Sequence, residues 1–511
     1  MRTFLKQIST LSVPLLFLPV SAQSAKSKPD NSRPNIVFIE VDDLNYEYLS
    51  CFGNKLVKTP NVDNLAQNGV RFTNAFAQGM MSGPSRNSLM TGMYPHNMGF
   101  YQNGDLKSLP DGVWTFPKAL QRAGYYSSWV GKCHIKPFLE TRDKTEAMRT
   151  QMGFDFVQQT MGRTVLGGAE YGEEAESTEK KNKKEKVQAP EDAKKAQRQQ
   201  KMQDADWYMS YLKKSGFQEK FLQEFPNTST LPEDVYLDGF FSKSAEEFIK
   251  GYKSEKPLFM WINYSVPHGP YDVAEEYHKP FSADKMPGFT TTNFVSPPNL
   301  IKRTKMFKSE AEAKKEQAGI AASVSFMDRQ VGRIIKQLKD KGLYENTIIV
   351  FFSDQGVMAG DHRLIHKSTL FRQITNPALI ISYPKGYEKN KTVTSPVELR
   401  DLVNTVLEIS NGTPADKSYH STSYSLLPLL QAKTNKVREY AFAEIEGYVC
   451  ISDGKYRYIE GVDAQLLFDD EKDPKNLNNI AAASPEIVKK LSAEIAKWKL
   501  NSGKFFPSKS M

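Results

Sequence analysis

Five short apolar stretches, rich in β-branched and aromatic residues, alternate with longer segments of helical periodicity along the chain. Each is bounded by turn-forming residues, which is typical of strands buried on both faces. Strands interleaved with helices predict an α/β fold, in which helices cover both faces of a large, mostly parallel sheet. The predicted strands are Asn35–Val41, Tyr125–Val130, Leu258–Tyr264, Thr347–Phe352 and Ala378–Tyr383. The predicted helices include Thr59–Asn68, Phe116–Arg122, Val235–Lys250 and Ala311–Lys339.

The pattern changes after about Pro396. A helix at Leu399–Glu408 is followed by shorter strands, Glu439–Glu444 and Tyr456–Glu460, and by a final helix at Pro485–Leu500. We therefore predict a large α/β domain over residues 34–396 and a smaller C-terminal α+β subdomain over residues 397–511.

The N-terminus has the pattern of a signal peptide over residues 1–22. Arg2 and Lys6 precede an apolar run, Leu11–Val20, and small residues follow at the cleavage site. The run is too short for a membrane span, so we expect no stable membrane insertion. The sequence predicts an exported protein, periplasmic or secreted.

The net charge of +9 is consistent with an anionic partner. Export argues against nucleic acid. Much of the lysine lies in a charged insertion at about residues 172–203, where acidic residues are interleaved. The insertion is either a solvated, mixed-charge surface or a patch that steers a polyanionic substrate. The three cysteines, Cys51, Cys133 and Cys450, form neither a disulfide framework nor a zinc motif.

Acids, lysines and histidines, which can act as metal ligands or catalytic groups, follow four of the predicted strands. Because ligands bind at the carboxyl ends of strands in such sheets, we expect these side chains to converge at one edge. The candidates are Asp42, Asp43, Lys132, His134, His268, Asp354, Gln355 and, after a short loop, Lys367.

The stretch Ser82–Gly92 has the pattern of a loop that turns into a helix. Pro84 suits the first turn, and Ser85 is able to hydrogen-bond to open backbone donors. Ser82 is then predicted to lie just before a helix N-terminus, which favours an anion, with Arg86 one turn along. On its own the stretch also fits an ordinary capped helix.

Taken with the strand ends, Ser82–Gly92 resembles the sulfatase signature, in which Cys or Ser is followed by x-Pro-Ser-Arg and later by Thr-Gly. The chain is similar to the serine-type, formylglycine-dependent sulfatases of the alkaline phosphatase superfamily over nearly its whole mature length. The segments Asn54–Asn61 and Asn74–Gln78 look most like the iduronate 2-sulfatase branch. The resemblance implies an alkaline phosphatase-like fold and a maturase that oxidises Ser82 to formylglycine.

Carboxylate and amide oxygens select Ca²⁺ or Mg²⁺ over zinc, and Ca²⁺ tolerates mixed ligands better. A lone Asp-Asp pair is also common in turns, but here a second acid–amide pair ends another strand. The resemblance implies one Ca²⁺ held by these two pairs and by the modified serine: Asp42, Asp43, Ser82, Asp354 and Gln355.

The resemblance also implies roles for the remaining candidates. Arg86 holds the hydrated aldehyde, and His134 removes a proton from it to expel sulfate. Lys132 and Lys367 neutralise the sulfate oxygens, and His268 protonates the leaving alcohol. His366 is expected to touch the sugar of the substrate.

We therefore expect a sulfuric ester hydrolase that acts on a sulfated saccharide, with uronate 2-O-sulfate of a glycosaminoglycan as the specific candidate. Two alternatives stay open at this point. One is a formylglycine-dependent phosphonate or phosphodiester hydrolase. The other is a non-catalytic protein that binds sulfated glycans, because an unmodified Ser82 leaves only binding.

Overall fold

The computed structural model describes residues 33–103, 113–135, 149–162, 166–167, 206–413 and 422–503. Its strands are β1 (Asn35–Val41), β2 (Gly69–Phe72), β3 (Ala75–Phe76), β4 (Tyr126–Lys132), β5 (Phe156–Thr160), β6 (Leu258–Asn263), β7 (Lys305–Met306), β8 (Thr347–Ser353), β9 (Met358–Ala359), β10 (Leu364–His366), β11 (Leu379–Ser382), β12 (Lys391–Val393), β13 (Val397–Glu398), β14 (Ala441–Ile445), β15 (Tyr448–Ser452), β16 (Tyr456–Gly461) and β17 (Gln465–Asp469). The predicted signal peptide and charged insertion lie outside the described residues.

The helices follow the same order along the chain. They are α1 (Pro60–Gln67), α2 (Ser82–Thr91), α3 (Pro95–Met98), α4 (Phe116–Arg122), α5 (Trp207–Ser215), α6 (Gln218–Glu224), α7 (Leu237–Gly251), α8 (Glu275–His278), α9 (Pro298–Ile301), α10 (Glu310–Asp340), α11 (Arg372–Thr375), α12 (Asp401–Ser410), α13 (Leu427–Leu430) and α14 (Pro485–Asn501). Among the described residues, no helix combines the length and the apolar content needed to cross a membrane.

The central sheet has, within the described ranges, eight strands in the order β12-β2-β11-β8-β1-β6-β4-β5. Seven of these run in the same direction, and β11 alone is antiparallel to both of its neighbours. The prediction of an α/β fold with a mostly parallel sheet is confirmed. The carboxyl ends of β1, β4, β6 and β8 consequently meet at one edge.

Both faces of the sheet are covered, as the apolar runs predict. In β1, Ile36 and Phe38 pack into one core with α2, α4 and α12, while Val37 and Ile39 pack into the other with α1, α7 and α10. Fully burying an aliphatic or aromatic side chain contributes about 1.5–3 kcal/mol each. This double burial fixes the position of the strand ends that carry the polar residues.

The C-terminal part forms a four-stranded antiparallel sheet, β14-β15-β16-β17, in the described chain. Ile495 and Trp498 of α14 pack against it through Phe442 and Ile451, which confirms the smaller α+β unit. The boundary at residue 397 stays a prediction, since β13 pairs with β3 and α12 packs in the core of the main sheet.

Several bounds agree with the sequence patterns, notably β1 and α4. Two of the differences affect residues of the site directly. The strand predicted at Tyr125–Val130 extends to Lys132, so Lys132 is its last residue. Ser82 is the first residue of α2 instead of preceding it, because the chain is extended only up to Met81. The three cysteines, all within the described ranges, are free thiols.

Candidate active site

Two pairs of polar residues lie side by side where neighbouring strands end. Asp42 and Asp43 follow β1, and Asp354 and Gln355 follow β8, its parallel neighbour. Oxygen atoms of the three carboxylates lie within 4.8 Å of one another. The predicted convergence of these residues is therefore present in the structure.

Ser82 is fully buried, and its hydroxyl lies in the middle of this group. Its Oγ donates a hydrogen bond to Asp42 Oδ1 at 3.0 Å. It accepts hydrogen bonds from Gln355 Nε2 and Lys367 Nζ, each at 3.3 Å. The first turn of α2 thus brings Ser82 to the same edge as the acidic cluster.

The start of α2 is fixed by contacts from outside the helix. The Gly83 amide donates to Asn103 Oδ1 at 2.9 Å, and a Cβ on Gly83 would lie 2.8 Å from that oxygen. The Ser85 hydroxyl donates to the carbonyl of Asp354. Glycine at position 83 therefore permits the close approach of Asn103 that anchors the helix start beside Ser82.

Arg86 is fully buried among acceptors. Its Nε donates to Asp354 Oδ2 at 3.1 Å, and its Nη1 donates to Asn263 Oδ1 at 2.9 Å. The same Nη1 lies 3.1 Å from Glu40 Oε1. Burial alone would lower the pKa of Arg86, but Glu40 and Asp354 outweigh it and raise that pKa. The guanidinium is a permanent cation beneath the carboxylates.

Two lysines supply further positive charge. Lys132 Nζ contacts Asp42 Oδ2, and Lys367 Nζ donates to both oxygens of Asp43 at 2.7 and 3.0 Å. Burial raises the pKa of Asp42, but the Lys132 ammonium and other nearby cations hold it well below its usual range. Burial, followed by the charge of Asp42, raises the pKa of Asp354 to about 6.

The two candidate histidines are neutral at pH 7. Burial lowers the pKa of His268 to about 4 and, together with Lys132, holds that of His134 well below its usual range. His268 Nε2 lies 3.6 Å from Asp43 Oδ2, and its Nδ1 is 2.6 Å from the carbonyl of Gly269. With the proton on Nδ1, Nε2 is an acceptor facing the cluster.

The two histidines in the segment that leads to Lys367 do not belong to the buried cluster around Ser82. His366 is exposed at the end of β10, one residue before Lys367. His362 packs its ring on Phe371 with centroids 3.9 Å apart, and its Nε2 lies 3.0 Å from the carbonyl of Lys475. His366 thus lies at the rim, whereas His362 is part of the packing below it.

The cluster suits a hard cation. Its donors are carboxylate and amide oxygens, which Ca²⁺ and Mg²⁺ prefer. Gln355 Oε1 is buried and makes no hydrogen bond to any described residue. An orphaned buried oxygen carries a desolvation cost of about 1–3 kcal/mol, which coordination to a cation removes. Asp42, Asp43, Asp354 and Gln355 therefore fit a metal site.

Sequence reasoning missed three residues that orient the site, Glu40, Asn263 and Asn103. Glu40 is an acid inside the apolar run of β1, and a buried acid needs a partner. That signal was available in the sequence. Asn263 and Asn103 carried none, because a single asparagine at the end of a strand or in a loop is common.

Residues 34–412 match the family model described as Sulfatase. The chain is 26% identical to an N-acetylglucosamine-6-O-sulfatase from Bacteroides thetaiotaomicron, over 92% of this chain and 87% of the relative. It is 24% identical to an arylsulfatase from Clostridium perfringens, over 88% and 90% of the two chains. Its fold resembles that of the phosphonate monoester hydrolase of Agrobacterium radiobacter, with a TM-score of 0.72 at 21% identity over 92% and 96% of the chains.

Proposed function

Since the chain belongs to the sulfatase family and is a sulfuric ester hydrolase, we propose that it removes sulfate from a sulfated saccharide with a nucleophile made from Ser82. The contacts of Ser82 Oγ with a carboxylate, an amide and an ammonium carry this proposal. The same edge of the sheet holds the lysines and histidines that sulfate transfer needs as oxyanion donors and proton carriers.

An unmodified serine hydroxyl is a weak nucleophile at neutral pH. We propose that a maturase oxidises Ser82 to formylglycine with loss of two hydrogens, and the hydrated aldehyde supplies a more acidic hydroxyl. The first turn of α2 supports this, because a helix N-terminus stabilises negative charge. Arg86 acts on the nucleophile through Asp42, since its Nη2 lies 3.7 Å from the Asp42 oxygen that Ser82 contacts.

A Ca²⁺ bound here would supply Lewis-acid chemistry that makes the hydroxyl of the modified Ser82 more acidic. Asp42, Asp43, Asp354 and Gln355, with the modified Ser82, would hold it. The charges of the site support this assignment. Lys132 and Lys367 lie against Asp42 and Asp43. With these carboxylates engaged by a cation, both ammonium groups would be available to an anionic substrate.

Lys132 and Lys367 then bind the sulfate oxygens, whose charge builds up in the transition state. His134 accepts the proton whose removal expels sulfate, a role that suits an imidazole that is neutral at pH 7. His268 delivers a proton to the leaving alcohol. Because its Nε2 is an acceptor in the unliganded site, we infer that His268 gains its proton when the anionic ester binds beside it.

The substrate we propose is a saccharide sulfate. The names of the relatives, one of them an N-acetylglucosamine-6-O-sulfatase, support a sugar. The segments Asn54–Asn61 and Asn74–Gln78 favour a uronate 2-O-sulfate of a glycosaminoglycan fragment, with His366 at the rim facing the sugar. We further propose that the protein is exported and that the maturase acts on Ser82 beforehand.

Protein from the native host provides the test. Peptide mass spectrometry is expected to show loss of two hydrogens at Ser82, and an aldehyde trap is expected to react there. Ser82→Ala should abolish turnover of an aryl sulfate. Ser88→Ala is the matched control, because this buried serine of the same helix makes no hydrogen bond to a described residue. Full activity with an unmodified serine would refute the proposal.

Assays with a panel of substrates distinguish the proposed saccharide sulfatase from the two alternative functions. Disaccharides sulfated at uronate O2, hexosamine O4 or hexosamine O6 identify the position, and activity confined to hexosamine would exclude the uronate. Faster turnover of a phosphonate monoester or phosphodiester than of any sulfate ester would favour the other hydrolase class. Tight binding of sulfated glycans without turnover, by protein with unmodified Ser82, would identify a binding protein.

A further inference from the structure

A cavity of about 140 Å³ lies among the described residues next to the catalytic cluster. None of the residues that line it is a proposed metal ligand or catalytic group. We name it the side cavity, and its charged and hydrogen-bonding side chains include Glu47, Tyr48, Asp361, Gln373 and Lys475. The proposed mechanism leaves this cavity without a role.

The side cavity shares its walls with the catalytic edge. Asn45 and Val357 line it, and each lies two residues beyond a proposed metal ligand along the chain. The Asn45 amide donates to the Val357 carbonyl at 3.5 Å, which ties these two segments together. Ala359 also lines the cavity, and it pairs with Ile365 in the hairpin of β9 and β10 that leads to Lys367. The segments that hold the metal ligands and an oxyanion donor therefore also enclose this cavity.

Tyr271 links the side cavity to the turn that carries His268. A Cβ on Gly269 would lie 3.8 Å from the Tyr271 hydroxyl, and the Gly269 carbonyl is the one that lies 2.6 Å from His268 Nδ1. Burial raises the pKa of Tyr271, and the nearby Glu316 and Tyr48 raise it further. Tyr48 lines the cavity. The cavity is thus a neighbour of the group that is proposed to protonate the leaving alcohol.

The side cavity contains hydrogen-bond acceptors that lack donors in the described part of the chain. Gln373 is only 4% exposed, and its Nε2 donates to Asp361 Oδ2 at 3.0 Å and to the Lys475 carbonyl at 3.1 Å. Its Oε1 is buried and makes no hydrogen bond to a described residue. The Glu47 carboxylate makes none either, although the Glu47 backbone is bonded on both sides. Unpaired acceptors of this kind favour a ligand that brings donors.

The charge of the side cavity disfavours an anion. Burial raises the pKa of Glu47, and the charge of Asp361 raises it further. Lys475 is the cation in the lining, and its Nζ already lies 2.9 Å from Asp361 Oδ1. A second negative charge placed beside Glu47 would meet repulsion in partly dehydrated surroundings.

The remaining walls distinguish a sugar from a metal ion. Leu56, Val57, Met286 and Pro287 also line the cavity. Ca²⁺ takes six to eight oxygen ligands, which these apolar side chains do not supply. A sugar ring presents C–H groups to apolar walls and hydroxyl donors to acceptors such as Glu47. The mixture of surfaces in the side cavity therefore suits an uncharged sugar ring.

We propose that the side cavity binds the uncharged sugar ring that is linked to the sulfated sugar of the substrate, with Glu47 and Gln373 accepting hydrogen bonds from its hydroxyls. The inference rests on the proposed function and narrows its substrate to a saccharide whose neighbouring ring carries neither sulfate nor carboxylate. An ordinary surface role for Glu47 predicts no effect that depends on a second ring.

The test compares three substrates of the matured, calcium-loaded enzyme. They are the preferred monosaccharide sulfate, the disaccharide in which an uncharged ring is added, and the same disaccharide with a sulfate on the added ring. We expect wild-type protein to have the highest kcat/KM for the uncharged disaccharide. Glu47→Ala should lower the ratio of kcat/KM for this disaccharide to that for the monosaccharide about tenfold. The loss should be in KM, because the added ring is held equally in the ground and transition states.

Two further variants sharpen the comparison. Glu47→Gln keeps an acceptor but removes the charge, so it should lower the ratio less than Glu47→Ala while relaxing the discrimination against the sulfated ring. Glu345→Ala is the matched control, because Glu345 is an exposed acid in the turn before β8, at the opposite edge of the sheet. It should leave the ratio and the discrimination unchanged.

A ratio within twofold of wild type in Glu47→Ala would overturn the inference while leaving the sulfatase mechanism intact. Calorimetric binding of the desulfated disaccharide separates the two failures, since it needs no turnover. Loss of binding in Glu47→Ala but not in Glu345→Ala, in protein that hydrolyses no sulfate ester, would support the side cavity and refute the proposed function. Equal binding by wild type and both variants would refute the side cavity whatever the activity.

Discussion

Glu40 Oε1 lies 3.1 Å from Nη1 of Arg86 beneath the acidic cluster, and both side chains are fully buried. The second oxygen of Glu40 accepts a hydrogen bond from Trp261 Nε1 at 2.7 Å. Burial raises the pKa of Glu40 to about 8 in spite of the opposing charge of Arg86. Arg86 is thus in contact with a buried acid, Glu40, whose neutral form is favoured at pH 7.

This arrangement predicts different effects for two substitutions of Glu40. Glu40→Gln keeps an acceptor for the guanidinium and mimics the neutral acid, so we expect turnover to fall less than tenfold. Glu40→Ala leaves the buried Nε1 of Trp261 without its acceptor, at about 1–3 kcal/mol, and removes the contact with Nη1 of Arg86. Urea unfolding and aryl sulfate turnover measure both effects. If Gln were as damaging as Ala, a role for the neutral form would be contradicted.

Lys367→Ala removes one proposed donor to the sulfate oxygens. Loss of one oxyanion donor typically lowers kcat by about 10²–10³, and we expect a loss of that size on an aryl sulfate. Lys389→Ala, at an exposed position, serves as the control. A higher KM with an unchanged kcat would instead assign Lys367 to binding that is equal in the ground and transition states.

His268→Ala tests protonation of the leaving oxygen. An aryl sulfate with a good leaving group needs little protonation, whereas a sugar alcohol needs it strongly. We therefore expect a much greater loss of kcat/KM on a sulfated disaccharide than on the aryl sulfate. Equal losses on both substrates would remove His268 from the acid role.

Removal of Ca²⁺ should abolish turnover, and its return should restore it. Binding to the folded protein alone contributes about 2.7 kcal/mol of stability at a concentration 100 times Kd, which appears as a rise in Tm. Asp43→Asn should abolish this rise, and Asp284→Asn, at an exposed site, should retain it. Restoration by zinc in place of calcium would contradict the oxygen-ligand assignment.

His362 predicts a pH-dependent component of stability. Burial lowers the pKa of His362 to about 4, below the usual value of about 6.5. Between these values the unfolded chain binds a proton that the folded chain does not, so stability falls as the pH falls from about 6.5 to 4, by up to about 3 kcal/mol. In His362→Gln this component is absent. The difference in unfolding free energy between the two proteins should shrink over that range, and a constant difference would contradict the interpretation.

The bounds of strands and long helices can be predicted from local hydrophobic patterns wherever the segment is largely buried. The bounds of β1 match its apolar run, and α10 extends only one residue beyond its predicted limits at each end. Short strands such as β2 and β12 were missed, because three or four residues carry no measurable period. The antiparallel direction of β11 could not be predicted either, because the direction of a strand depends on the neighbours with which it pairs.

The candidate site also contains features that the sequence predicts and features that it does not. The convergence of Asp42 and Asp354 could be predicted, because parallel strands end at one edge. The partners of Arg86 could not, since Glu40 and Asn263 approach it from β1 and β6 through tertiary packing. The neutral state of His268 was also not predictable, because it depends on how much water the folded site excludes.

The burial of α2 determines when the proposed oxidation of Ser82 is possible. All ten residues of the helix are buried, Ser82 among them. Under the proposed maturation, the enzyme that oxidises Ser82 would therefore need to act before the chain folds around this helix. A molecule that folds with its serine intact is permanently inactive under the proposed mechanism, so the active fraction of any preparation is decided during synthesis and not by later treatment.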